Sequence, residues 1–193
     1  ISFKIMKKNI CIIPARKSSK RIKNKNIKKF LGKPIIYYAI KTAIKSKLFQ
    51  QVVVSTDSLK IKKISQKYGA SVPFLRDKKI SDDYTPTKDV LLDSIKKLKI
   101  EDDCNLFCIY PTAALIQESD LIKAYKKFNY LNADSLFAVV NYDHPPQRAL
   151  KTRGKFIFPE DIKLFKRRTQ DLKSLYHDSG TFSIHKTKFL KNK

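Results

Sequence analysis

Apolar positions along the chain fall into two rhythms. Four runs, NICIIPA (residues 9–15), QVVVST (51–56), NLFCIY (105–110) and DSLFAVV (134–140), are continuous in β-branched and other apolar side chains. Such runs have the length and composition of buried strands. Between them the apolar residues space out to a helical period, at Ile61, Ile64 and Tyr68, at Val90, Leu91, Ile95 and Leu98, and at Leu121, Ile122, Tyr125, Phe128 and Leu131. Ser58 and Asp120 stand where N-caps of two of these helices are expected. Strands alternating with helices predict a three-layer α/β fold, a Rossmann-like, mostly parallel sheet covered on both faces. In that architecture ligands bind beyond the carboxyl ends of the strands.

With 193 residues, 42% of them hydrophobic and 31% charged, the chain has enough material for one α/β domain and is neither a disordered polyelectrolyte nor a membrane protein. No apolar run approaches the roughly 20 residues that span a bilayer, and no signal-peptide pattern opens the sequence. A cytoplasmic location is the expectation. Cys11, Cys104 and Cys108 are odd in number and lie in or beside expected strands, so they are read as small buried apolar side chains. His144, His177 and His185 lack metal-ligand spacing.

A formal net charge of +25 raises the question of a polyanionic partner. Yet Lys outnumbers Arg by 35 to 7, and the lysines are spread through every segment. No aromatic RNA-binding motif, helix-turn-helix or basic helix accompanies them, so no specific nucleic-acid partner is expected. The informative cations are the few arginines, because the planar guanidinium is the fork that holds phosphates and carboxylates bidentately.

The first strand runs into a loop, IIPARKSSKRIKNKNI (12–27), rich in Lys and Arg with no acid to balance them. Neither GxxxxGK[ST] nor GxGxxG occurs, so the two commonest phosphate loops are excluded. Arg16, Ser19, Lys20 and Lys25, with backbone N–H groups, offer charge and hydrogen bonds to a triphosphate, and Asn26 can both donate to and accept from a base edge. A solvated basic loop is the alternative reading of the same spacing.

The loop, followed by FLGKPII, resembles the N-terminal signature of the acylneuraminate cytidylyltransferases, with PAR, SK and KN at that family's spacing and Lys17-Ser18 where many members carry two glycines. The resemblance continues in order through VVVSTD, VPFLRDKKISDD and YPTAAL. HPPQRAL and RRTQDLKSLYHDSGTF are similar to segments of the CMP-pseudaminic acid synthetase branch, although SIHK follows where that branch is usually aromatic. The fold implied is that of the nucleotide-diphospho-sugar transferases. The activity implied is transfer of CMP from CTP to a nonulosonic acid, pseudaminic acid before N-acetylneuraminic acid, legionaminic acid or Kdo, with Mg²⁺ as cofactor. Carried onto matching positions, Arg16 and Lys25 are catalytic. Arg16, Ser19, Lys20, Lys25, Asn26, Arg76 and Thr87 bind the nucleotide. Tyr110, Thr112, Gln147, Arg148, Arg168, Gln170 and Asp178 face the sugar. Tyr110 stands where sialic acid synthetases have Gln, and Asp57 is as consistent with closing a strand end as with chemistry. No metal ligands are identified: the family's later DxDT-type element has no counterpart here, and the expectation is of a single domain over residues 1–193, shortened at its C-terminus, that binds CTP but turns it over slowly. Residues of about 141–170 are expected to form a dimerisation arm, and the enzyme a homodimer.

Overall fold

Strands form where β-branched side chains can be buried on both faces, and helices where the apolar residues share one face. In a computed structural model, which describes residues 8–19 and 22–192, the elements are β1 (Asn9–Pro14), β2 (Lys29–Phe30), β3 (Lys33–Pro34), α1 (Ile36–Lys45), β4 (Gln51–Ser55), α2 (Leu59–Lys67), α3 (Thr87–Leu98), β5 (Asn105–Ile109), α4 (Glu118–Tyr130), β6 (Ser135–Asn141), β7 (Leu150–Arg153), β8 (Phe156–Pro159), α5 (Ile162–Phe165), β9 (Tyr176–Lys186) and α6 (Thr187–Lys191). The main sheet has the order β4-β1-β5-β9-β6. β1 lies parallel to both β4 and β5, while β9 pairs with β5 antiparallel.

Alternation along the strands divides the core between two faces. Ile12, Val53, Leu106 and Cys108 meet Leu91 and Ile95 of α3 and Leu190 of α6. The intervening Phe107, with Ile184 of β9, packs on Phe128 of α4, and its ring meets Phe49 edge-on at 4.7 Å. Helices therefore cover both faces, as the pattern predicts. Each fully buried side chain of this kind contributes about 1.5–3 kcal/mol. All three cysteines are buried, as their reading as small apolar side chains requires.

Ser58 caps α2, its Oγ accepting from Ile61 N–H at 3.4 Å. The other expected cap is shifted: α4 begins after Gln117, and Asp120 lies inside the first turn, where its carboxylate accepts from Gln117 N–H at 2.9 Å. Asp120 thus supplies the acidic half of a capping box.

Two compact units result. One takes in the described residues through Phe137 and from Gly180 onward; the other is Ala138–Ser179. The first holds the core just described. The second contains the β7–β8 hairpin and α5 and takes in the stretch 141–170. It leaves Leu150, Phe156, Ile157 and Ile162 exposed. Among the described residues no helix is long and apolar enough to cross a membrane.

Candidate active site

The first unit opens a cleft of about 210 Å³ past the carboxyl ends of β1 and β5. Strand ends, a helix start and two turns build it. Ala15 N–H donates to Ser55 O at 2.8 Å, so the chain stays registered with β4 as it leaves β1. Asp57 then fixes the loop, accepting from Lys17 N–H at 2.6 Å. Of the two roles the sequence allows Asp57, this contact is the strand-end anchor. Asn26, 5% exposed, donates to Arg16 O at 2.9 Å and so folds the loop back on itself. Its buried Oδ1 has no hydrogen-bond partner among the described residues. A buried acceptor without a partner costs about 1–3 kcal/mol, which a donor on a bound molecule would offset.

Arg76 is the deepest cation. It is 5% exposed, its N–H donates to Thr56 O at 2.8 Å and its Nε to Ser81 Oγ at 3.1 Å. Burial lowers its pKa, Asp57 opposing and Arg16 adding to the effect; the guanidinium remains charged. Arg16 pairs through Nη2 with Asp83. Next to it, Asp82 Oδ1 accepts from Tyr84 N–H, Thr85 N–H and Thr85 Oγ1 at 3.0, 2.7 and 2.6 Å. These bonds, the Thr85 hydroxyl first, hold the Asp82 carboxyl below its ordinary value of 3.8. The turn so made leads into α3, whose first residue, Thr87, shares a hydrogen bond of 3.3 Å with Tyr110 at the end of β5. The positive end of the α3 dipole is thereby brought to a site already lined by cations.

Arg16, Ser19, Lys25, Asn26, Arg76, Thr87, Tyr110 and Thr112 thus come together around one cleft. Lys20 lies outside the described residues. Asp82, Asp83 and Thr85 are lining residues that the sequence reading did not single out; two adjacent acids in so basic a chain were the available signal.

The remaining expected residues belong to the second unit. Gln147 donates from Nε2 to Lys173 O at 2.8 Å and lines a separate hollow with Tyr142, Pro146 and Thr169. Arg148 donates from Nη2 to Arg167 O at 2.6 Å and lies over the Phe165 ring, 5.7 Å from its centre. Arg168 makes a fork to Asp171, Nε to Oδ2 at 2.8 Å and Nη2 to Oδ1 at 3.3 Å. Gln170 is exposed beside it, and Asp178 is exposed on β9.

Among the described residues the only cluster of three potential metal ligands is Glu101, Asp103 and Cys104, none of which lines the cleft. There, hard oxygen donors come from Asp82 and Asp83.

The cytidylyltransferase family model matches residues 10–186. Among similar proteins, the pseudaminic acid cytidylyltransferase of Campylobacter jejuni subsp. jejuni serotype O:2 is 43% identical over 178 residues, which cover 91% of this chain and 77% of its own. A Helicobacter pylori protein named pseudaminic acid cytidylyltransferase and UDP-2,4-diacetamido-2,4,6-trideoxy-beta-L-altropyranose hydrolase is 38% identical over 94% of this chain and 35% of its own length. A solved structure of CMP:2-keto-3-deoxy-manno-octonic acid synthetase complexed with CTP superimposes with a TM-score of 0.72 over 96% of this chain and 76% of that one, at 18% identity, a likeness of fold. A mostly parallel sheet with a cationic cleft at its strand ends, and a family match over nearly every residue that builds it, lead to one conclusion: the chain belongs to the cytidylyltransferase family.

Proposed function

We propose that this cytidylyltransferase transfers CMP from CTP to the anomeric hydroxyl of a nonulosonic acid, pseudaminic acid foremost, releasing pyrophosphate. The observation that carries the reading is the convergence of Arg16, Lys25 and Arg76 with Asn26 and Thr87 on one cleft at the strand ends. The names of the relatives at 43% and 38% identity support the choice of sugar.

The anomeric oxygen forms a bond to the α-phosphorus as its O–H bond breaks and the proton passes to water, and the bond from that phosphorus to the β-phosphoryl bridging oxygen breaks, its electron pair leaving with pyrophosphate. Negative charge grows on the phosphoryl oxygens and on the pyrophosphate. Arg16 and Lys25 act as catalytic residues by holding that charge, and Arg76, Ser19, Lys20 and Thr87 position the triphosphate. Asn26, through its buried and unpartnered Oδ1, meets a donor on the base edge. Magnesium fits this donor set, since the ion takes one or two carboxylates together with phosphate oxygens. Asp82 and Asp83 would hold it, and it would supply neutralisation of the triphosphate.

Tyr110 and Thr112 contact the sugar or ribose in this reading. Gln147, Arg148, Arg168, Gln170 and Asp178 recognise the sugar, with a guanidinium taking its carboxylate. The exposed Leu150, Phe156, Ile157 and Ile162 support the homodimer, because an apolar surface of this kind is ordinarily covered. Pyrophosphate release, measured with CTP and a panel of pseudaminic, legionaminic, N-acetylneuraminic and Kdo acids, tests the function. The first acid should turn over fastest. Release with none of them, or equally with ATP, GTP and UTP, would overturn the assignment.

A further inference from the structure

Arg16 meets a carboxylate of its own chain in the place where a nucleotide is expected. Its Nη2 is ion-paired with Asp83, the two side chains being 30% and 22% exposed. Its buried Nη1 has no hydrogen-bond partner among the described residues. A guanidinium is a fork made for two oxygens, and here one prong is engaged and the other is open, in a cleft shared with Lys25 and Arg76. We propose that Asp83 is an internal placeholder for a phosphoryl group: its carboxylate holds Arg16 while the cleft lacks nucleotide, and the triphosphate displaces it on binding.

The inference rests on the reading of this cleft as the CTP site. Its physical basis is competition. Arg16 and Arg76 line the same cleft, and Arg16 acts on Arg76 as a like charge; the Asp83 carboxylate paired with Arg16 offsets part of that charge. The nucleotide must then break the pair, so its apparent affinity is reduced by the fraction of molecules in which Arg16 is engaged. The three bonds that Asp82 Oδ1 makes to Tyr84 and Thr85 fix the turn, so exchange of Asp83 for a phosphoryl group requires its side chain to turn away from Arg16 while the turn stays in place. Once displaced, this carboxylate lies beside the triphosphate, where a divalent cation relieves the new repulsion.

Placeholder and direct ligand predict opposite signs. A residue that binds the nucleotide weakens binding when removed; a placeholder strengthens it. In calorimetric titrations of the full chain with CTP in EDTA, Asp83→Asn should bind on the order of tenfold more tightly than wild type. With magnesium present the gap should close, so that the metal dependence of CTP affinity is smaller in the variant. In an Arg16→Ala background, Asp83→Asn should bring no gain. Asp83→Ser carries the same test should the Asn variant have a lowered thermal midpoint. CTP binding that both Asp83 variants leave unchanged or weaken, or a gain that persists without Arg16, would overturn the placeholder alone. A wild-type chain that binds no CTP would overturn the site reading with it.

Discussion

Arg76 and Arg168 are the same residue type in opposite circumstances. Arg76, in the unit that holds the sheet, is 5% exposed and bonded to Ser81 on one side and through its backbone to Thr56 on the other. Arg168, in the Ala138–Ser179 unit, has a side chain 74% exposed and bonds a carboxylate three residues along. The first is preorganised: its position is set by the core, and it has little freedom to lose when an anion arrives. The second is held by an exposed ion pair worth about 0–1 kcal/mol, so a ligand carboxylate can replace Asp171 at small cost. The same contrast runs through the apolar residues. Phe107 is wholly buried, whereas Phe156 is 69% exposed. One unit is internally complete, and the other displays groups suited to meeting something else.

The sharpest way to break that contrast is to delete a ring from each unit. Phe107→Ala should lower unfolding stability by about 3–5 kcal/mol, and Phe156→Ala should stay within about 0.5 kcal/mol while weakening self-association. Denaturant melts and light scattering at micromolar concentration read the two effects. Next in size are the cleft cations: Arg16→Ala and Lys25→Ala should each weaken CTP roughly ten- to a hundredfold by calorimetry, the loss of about 1.5–3 kcal/mol of charge-assisted hydrogen bonding. Arg168→Ala should leave CTP binding unaltered and raise KM for the sugar acid by about tenfold. A parallel fall in CTP affinity would show that the two units do not divide the substrates.

The smallest effect concerns β9, which begins in one unit and ends in the other. Near its end, burial lowers the pKa of His185 from 6.5, with Ser135 and Ser183 hydroxyls each 2.8 Å from a ring nitrogen. The unfolded chain then takes up a proton more readily than the folded one as pH falls below about 6.5, so this residue's contribution is full above that pH and is lost on acidification toward the folded pKa. His185→Gln should flatten that part of a stability–pH curve. An unchanged slope between pH 6.5 and 5 would refute it.

How far the sequence reveals all this follows from where each signal lies. β1, β4, β5 and β6 were legible because continuous apolar runs admit few other fates, and α2, α3 and α4 because their periodicity is long. α1 passed unread although Ile36, Ala39, Ile40 and Ala43, its buried residues, recur at helical spacing; its many β-branched and aromatic side chains speak locally for a strand, and packing overrides them. β9 was missed for the converse reason: Gly180, at φ 63°, and the polar residues around it are poor strand formers, and only the buried Phe182 and Ile184 betray the alternation. Of the cleft lining, Arg16, Ser19, Lys25, Asn26, Arg76, Thr87, Tyr110 and Thr112 were legible, whereas Asp82, Asp83 and Thr85 were not. The Arg16–Asp83 pair was not, because no local pattern links residues brought together by two separate loops.

The place of β9 also governs how the molecule comes into being. It lies between β5 and β6, yet it emerges from the ribosome after both, with β7, β8 and α5 intervening between it and β6 in the chain. Until it arrives, β5 has one hydrogen-bonding edge satisfied by β1 and the other open, and β6 has no neighbour in the sheet. Closing the gap demands a long-range pairing whose entropy must be met before any contact rewards it. A nascent chain paused before Tyr176 therefore offers an apolar strand edge to whatever strand is nearest, and that interval is when this protein has most need of a chaperone.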